Sequence, residues 1–153
     1  TVWEETVANR KRMLEVCPQV DFYISSTVGL SNALHVPDFH KSWVEQELIK
    51  PQDFNFNLLQ YPLWQRMDLL PQKYKNKVTE KYEEHMKWLK AKDHLTRATK
   101  GFVSALDWMN KKDMSRHMPT FVEETRKYDK IRNENFTDVF PEWKQLFEEY
   151  EKN

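Results

Sequence analysis

Val20-Asp21-Phe22-Tyr23-Ile24-Ser25-Ser26-Thr27-Val28 runs directly into Gly29-Leu30-Ser31-Asn32 and then into a helix-like stretch with Pro37 at its start. A second segment, Asp53-Phe54-Asn55-Phe56-Asn57-Leu58-Leu59-Gln60-Tyr61-Pro62, has the same character. The first is rich in aromatic and β-branched side chains. The second alternates Phe54, Phe56 and Leu58 with Asp53, Asn55 and Asn57, the period of a strand. Between them Phe39, Trp43, Val44 and Leu48 recur at helical spacing after a proline that favours a first helical turn. Strands over 20–27 and 53–59 with a helix between them make a strand–helix–strand unit. In α/β proteins, ligands bind at the C-terminal ends of such strands.

Outward from this unit the chain is helical. Residues 3–16 read as a helix, with Glu4 and Glu5 in the first turn and Arg10, Lys11 and Arg12 toward the end, as the helix dipole favours. Downstream, Tyr74, Val78, Tyr82, Met86 and Leu89 mark a long helix, and Leu95, Ala98, Phe102, Ala105, Leu106 and Met109 mark another. Pro119 opens a third with Phe121, Val122, Thr125 and Tyr128, and a short last helix follows Pro141. The expected class is a helix-rich α/β chain: a βα portion over 1–70 and a helical extension over 71–153 packed on it. The chain opens at Thr1 directly on a helical pattern, and nothing before residue 20 supplies further strands. The expectation is therefore the C-terminal part of a longer protein.

Composition narrows the classes. With 153 residues, one hydrophobic core is expected. Only two glycines occur, too few for the tight turns of an all-β fold. Aromatic residues reach 14%, which offsets a modest hydrophobic content of 39% in building a core. No run is apolar enough to span a bilayer, so no membrane partner is expected, and a cytoplasmic location is. Cys17 is the only cysteine, which rules out an internal disulfide and a thiolate-only metal site. It is expected as a small buried apolar residue. Net charge is zero but uneven. Residues 71–132 carry 16 Lys/Arg against 9 Asp/Glu, and residues 133–153 carry 2 against 6. The basic middle is expected to be a solvated face partly neutralised by the acidic tail folding back, and nucleic acid is not an expected partner.

Few catalytic patterns are available. There is no phosphate-binding glycine loop, no HExxH and no nucleophile elbow. His35, His40, His85, His94 and His117 include no i, i+4 pair. His35 is placed to cap or position the helix after it, and His40 and His85 are expected at the surface or core edge. Ser25, Ser26 and Thr27 have no identifiable base nearby. Glu83-Glu84 and Glu123-Glu124 are adjacent on helices, so their side chains diverge by about 100° and form no dyad.

The order of Ser26-Thr27-Val28-Gly29-Leu30-Ser31-Asn32, a helix, Phe54-Asn55-Phe56-Asn57-Leu58-Leu59-Gln60-Tyr61-Pro62 and Leu70-Pro71 resembles the later barrel strands of twitch-domain-containing radical SAM proteins. The close of the chain is similar too, through Thr125, Asp129, Ile131-Arg132, Phe136 and Phe140-Pro141-Glu142. The resemblance implies the last βα units of a partial (β/α)6, TIM-like barrel followed by a helical C-terminal extension. It implies an oxidoreductase in which a 4Fe-4S cluster, held by a CxxxCxxC loop, cleaves S-adenosylmethionine to a 5′-deoxyadenosyl radical that abstracts hydrogen from a small-molecule or peptide substrate. That loop is absent here, so the cluster would sit on the missing N-terminal barrel half. Neither cofactor is expected to bind stably to this chain alone, and the chain alone is expected to be inactive. Carried over by position, Ser26, Thr27 and Asn32 would face the amino-acid or ribose portion of S-adenosylmethionine. Leu59, Gln60, Tyr61 and Pro62 would lie beside its adenine. The plainer alternative is that Asn32 caps a turn and Tyr61-Pro62 closes a strand. A second functional class stays open: a stand-alone helical interaction module whose basic middle meets an acidic partner.

Overall fold

The computed structural model describes residues 2–151. Helix α1 (Trp3–Val16) leads to strand β1 (Ile24–Val28), helix α2 (Val36–Glu45) and strand β2 (Phe54–Leu58). Two single 3-10 turns, Leu63–Gln65 and Met67–Leu69, then lead to α3 (Gln72–Leu89) and α4 (Arg97–Asn110). After a 3-10 turn at Ser115–His117 come α5 (Met118–Arg132), the one-turn α6 (Phe136–Val139) and, after Pro141–Trp143, α7 (Lys144–Glu151). The expected helix-rich α/β class is correct. The strands pair in parallel, Ile24 opposite Phe54 through Val28 opposite Leu58, with α2 as the crossover.

The first strand is shorter than the sequence predicts. It begins at Ile24, whose N–H donates to Asp53 O at 2.9 Å, and residues 20–23 are loop. The physical reason lies in the neighbouring strand. Before Asp53 the chain turns back, with Asp53 N–H on Lys50 O at 3.0 Å, so residues 20–23 have no ladder to join. Val20 and Tyr23 are accordingly exposed.

One face of the sheet is covered. The Phe54 ring lies 6.1 Å from Phe39 of α2 and stacks at 4.4 Å on His40, while Phe56 meets Phe102 of α4 at 4.6 Å and Tyr82 of α3 at 6.5 Å. Helix α4 approaches closely because position 101 is glycine: a Cβ there would stand 2.5 Å from Phe56 Cδ2. Tyr74, Val78, Tyr82 and Leu89 of α3 and Ala98, Phe102, Ala105 and Met109 of α4 are fully buried, as their helical spacing requires. One continuous core runs from Val28, Leu30 and Phe54 through these helices to Trp143, Leu146 and Phe147. Segment 71–151 is thus packed on the βα portion and shares its core.

Two histidines expected at the surface or core edge are buried instead. His40 of α2 is 0% exposed and His85 of α3 is 5% exposed. His40 Nε2 lies 3.0 Å from Pro51 O and His40 Nδ1 lies 2.9 Å from His85 Nε2. A carbonyl only accepts, so His40 Nε2 carries its proton. Its Nδ1 is then the acceptor for His85 Nε2–H, and His85 Nδ1 is bare. Burial lowers the His40 pKa to about 4 and, with the neighbouring His40, lowers that of His85 to about 3. Cys17 is half-buried rather than buried, because it ends α1 at the rim of the fold.

The acidic end folds back as the charge distribution predicts. Glu149 Oε1 accepts from Lys73 Nζ at 2.8 Å and from Tyr74 Oη–H at 3.2 Å. Glu151 Oε1 accepts from Arg126 Nε at 2.5 Å, and Glu142 pairs with His35.

Candidate functional site

In a parallel strand, alternate side chains point to opposite faces. Ile24, Ser26 and Val28 share a face with Phe54, Phe56 and Leu58, the face covered by the helices. Ser25, Thr27, Asn55 and Asn57 share the other. Ser25, Thr27 and Asn57 are exposed and Asn55 half-exposed, and the only hydrogen bond across this face joins Asn57 Nδ2 to Thr27 Oγ1, at 3.5 Å, among the described residues. The sheet therefore presents apolar groups, with Ser26 among them, on one side and an open row of hydroxyls and amides on the other.

The outer edge of β1 is open as well. Each residue of a parallel strand turns both its backbone groups to one side. Ile24 N–H and Val28 C=O bond β2, so the groups of Ser25 and Thr27 point away from it. Of these, Thr27 O accepts from Asn32 Nδ2 at 2.9 Å. Gly29 N–H donates to Asn32 Oδ1 at 3.0 Å, so the Asn32 amide closes the turn after β1 with both its ends. Gly29 does not have a positive φ; what it provides is space. A Cβ there would lie 2.8 Å from Gln65 O, the carbonyl that takes Leu30 N–H at 2.8 Å. The turns after the two strands are laced together at this point.

The residues singled out in the sequence do not all meet. Thr27 lies at the end of the open face beside Asn57, whereas half-buried Ser26 faces the helices opposite Phe56. Their side chains are therefore on opposite sides of the sheet. Asn32 is half-exposed with its amide on the backbone. Leu59 continues the ladder, its N–H on Val28 O at 2.9 Å, and Gln60 Nε2 donates to Leu58 O at 3.3 Å. Tyr61 is 83% exposed and joined to the exposed Pro62 by a cis peptide. Thr27, Gln60, Tyr61 and Pro62 thus present accessible groups at the C-terminal ends of both strands.

A cavity of about 510 Å³ that the sequence does not reveal opens beside Pro62. Its walls are the 3-10 turn with Trp64 and Gln65, the face of α5 that carries Phe121, Thr125 and Tyr128, and the segment from Glu134 to Phe140. Trp64 and Tyr128, far apart in the chain, lie nearly parallel at 6.3 Å, and Phe136 meets its near neighbour Phe140 at 4.8 Å with the rings tilted. Helical spacing marks Phe121, Thr125 and Tyr128 only as one face of α5, and Asp129, Arg132, Phe136 and Phe140 stand out only through the family resemblance.

The donor set bears on an iron–sulfur cluster. Cys17 precedes β1 and lines a cleft with Asp21, Lys50, Pro51 and Asp53, at the N-terminal ends of both strands. It lies at the wrong end of the sheet for a ligand-binding strand terminus. Among the described residues no group of three His, Cys, Asp or Glu is placed to hold a metal ion. These residues do not fit a cluster. Comparison of the chain with protein-family models, with curated proteins and with solved structures returns no match.

Proposed function

We propose that this chain forms the last two βα units and the helical C-terminal extension of a partial (β/α)6 barrel in a radical SAM oxidoreductase. The observation that carries this reading is the one-sided sheet. In a (β/α) barrel the helices lie outside and the opposite face of the strands lines the interior. Here α2, α3 and α4 cover one face, while Ser25, Thr27, Asn55 and Asn57 form an open polar row on the other. The unpaired outer edge of β1 supports the same reading: apart from Thr27 O, which Asn32 Nδ2 already holds, the outward backbone groups of Ser25 and Thr27 are placed to meet a preceding strand.

On this reading the chain contributes a cofactor wall and no cluster ligand. The Thr27 hydroxyl and the Gln60 amide reach polar atoms of S-adenosylmethionine, and exposed Tyr61 offers a ring face to its adenine. Asn32 acts as a positioning residue, since it holds the turn that sets Thr27. Ser26 contributes through its backbone, because its side chain faces the helices. The bound cofactor supplies radical chemistry that depends on a cluster held by residues outside this chain. The compensation of Lys73 and Arg126 by the acidic end weighs against the alternative of a basic docking module.

Sequencing the coding DNA in frame upstream of the Thr1 codon tests the proposal. A CxxxCxxC segment ahead of several βα units is the expected result. An in-frame stop immediately upstream contradicts it and leaves a free-standing protein without a cluster-binding half.

A further inference from the structure

We infer that the cavity between the Trp64 turn, α5 and the 134–140 segment is a binding site for an aromatic amino acid, a flat ring bearing a carboxylate and an ammonium group. The inference stands on the cavity alone and does not depend on the radical SAM reading. At about 510 Å³ it lies within the range of small-molecule sites. Its floor is aromatic: Phe121 is buried, with Trp64 at 6.5 Å on one side and Phe136 at 5.7 Å on the other. Tyr128 and Phe140 extend the ring surface to the mouth. Such walls favour a planar apolar group through area burial and ring–ring contact.

The polar groups of the cavity divide into engaged and open ones. Asp129 is engaged, with Oδ2 on Arg126 Nη1 at 3.0 Å and Oδ1 accepting Phe136 N–H at 3.0 Å. Asn135 Oδ1 is engaged by Arg126 Nη1 at 2.8 Å. Thr125 is 8% exposed and lines the cavity, yet its hydroxyl makes no hydrogen bond among the described residues. The residue is nearly buried and lines the cavity, so its unengaged hydroxyl is available to a ligand atom there. Two opposite charges flank the mouth. Arg132 makes no ion pair among the described residues, its guanidinium 5.3 Å from the Tyr128 ring centroid, and Glu134 follows two residues later, also without an ion pair. A cation and an anion together at the rim of a ring pocket match a zwitterionic head better than a purely anionic or cationic one.

The test is titration of the chain with L-tryptophan, followed by backbone amide NMR shifts. Indole, tryptamine and indole-3-propionate serve as probes lacking both charges, the carboxylate and the ammonium, respectively. Saturable shifts are expected along α5 and over 134–140, with L-tryptophan binding more tightly than any of the three. Arg132→Gln is expected to weaken L-tryptophan about fivefold while leaving tryptamine unchanged, and Glu134→Gln to do the converse with indole-3-propionate unchanged. Both positions are exposed, so these variants keep the fold. Thr125→Val, close in shape, is expected to weaken all four ligands. Absence of saturable shifts up to the solubility limit, shifts that map elsewhere, or indole binding as tightly as L-tryptophan overturns the inference. So do two rim variants that leave the order of affinities unchanged. None of these results bears on the upstream CxxxCxxC segment, so the two proposals fail separately.

Discussion

His40 and His85 face each other across the interior of the molecule, and both are held neutral by burial. The folded pKa values, about 4 and about 3, lie below the ordinary histidine value of 6.5. A base whose folded pKa is depressed is taken up with protons first by the unfolded chain. Stability is therefore complete above pH 6.5 and falls as the pH drops below it, by about 1.4 kcal/mol per pH unit for each proton that only the unfolded chain binds. Thermal unfolding between pH 7 and pH 4 should show this slope, and it should be shallower in a His85→Phe variant. The pair was not legible in the sequence, because its members are 45 residues apart and neither has a helical-spacing partner. Only the packing of α2 on α3 joins them. Gly29 makes a second prediction at this scale. A methyl group at that position would meet Gln65 O at 2.8 Å, a backbone atom that cannot swing away. Gly29→Ala should cost about 2 kcal/mol in denaturant unfolding and shift the amides of both strand-end turns.

At the scale of elements, α2 to α5 were readable from their apolar stripes and α1 from its charges, whereas the one-turn α6 was not foreseen, and boundaries were decided by something the stripes do not contain. The α3 stripe of Tyr74, Val78 and Tyr82 is buried as its spacing requires. Leu95, which extends the stripe of the next helix backward, lies outside α4 and is 59% exposed. The reason is Thr96, which precedes α4 at φ 53°, a left-handed conformation costly for a β-branched residue. The turn is held from within: Asp93 Oδ2 accepts Thr99 N–H and the Thr99 hydroxyl, each at 2.8 Å. Thr96→Asn, which suits that conformation, should stabilise the protein by about 0.5–1 kcal/mol in denaturant melts. The last helix is anchored through Trp143, fully buried beside Tyr74, whose Nε1–H donates to Ser31 O at 3.0 Å. Trp143→Phe should remove about 2 kcal/mol and loosen α7 together with the turn after β1, read by amide exchange. That link joins the acidic end to the strand-end turns, a connection no local pattern announces.

At the scale of the whole molecule, one face of a two-stranded parallel sheet is buried under helices and the other is polar and open. The alternation of Phe54, Phe56 and Leu58 with Asn55 and Asn57 made the two faces legible. It also implied that Ser26 and Thr27 diverge, which grouping them by position at a strand end conceals. The cavity beside Pro62 was beyond reach, since Trp64 and Tyr128 come together only through the docking of α5 on the turn after β2. On the proposed reading, the open face and the unpaired edge of β1 are the surfaces that would meet the rest of a partial barrel. Iron and sulfide added anaerobically to this chain should then leave no stoichiometric cluster, because Cys17 stands alone at the far end of the sheet. The most direct test of the central claim is turnover. The protein translated from the whole reading frame, reconstituted anaerobically and supplied with S-adenosylmethionine and a strong reductant, should release 5′-deoxyadenosine. Reconstituted protein that holds no cluster and leaves S-adenosylmethionine intact would contradict the account.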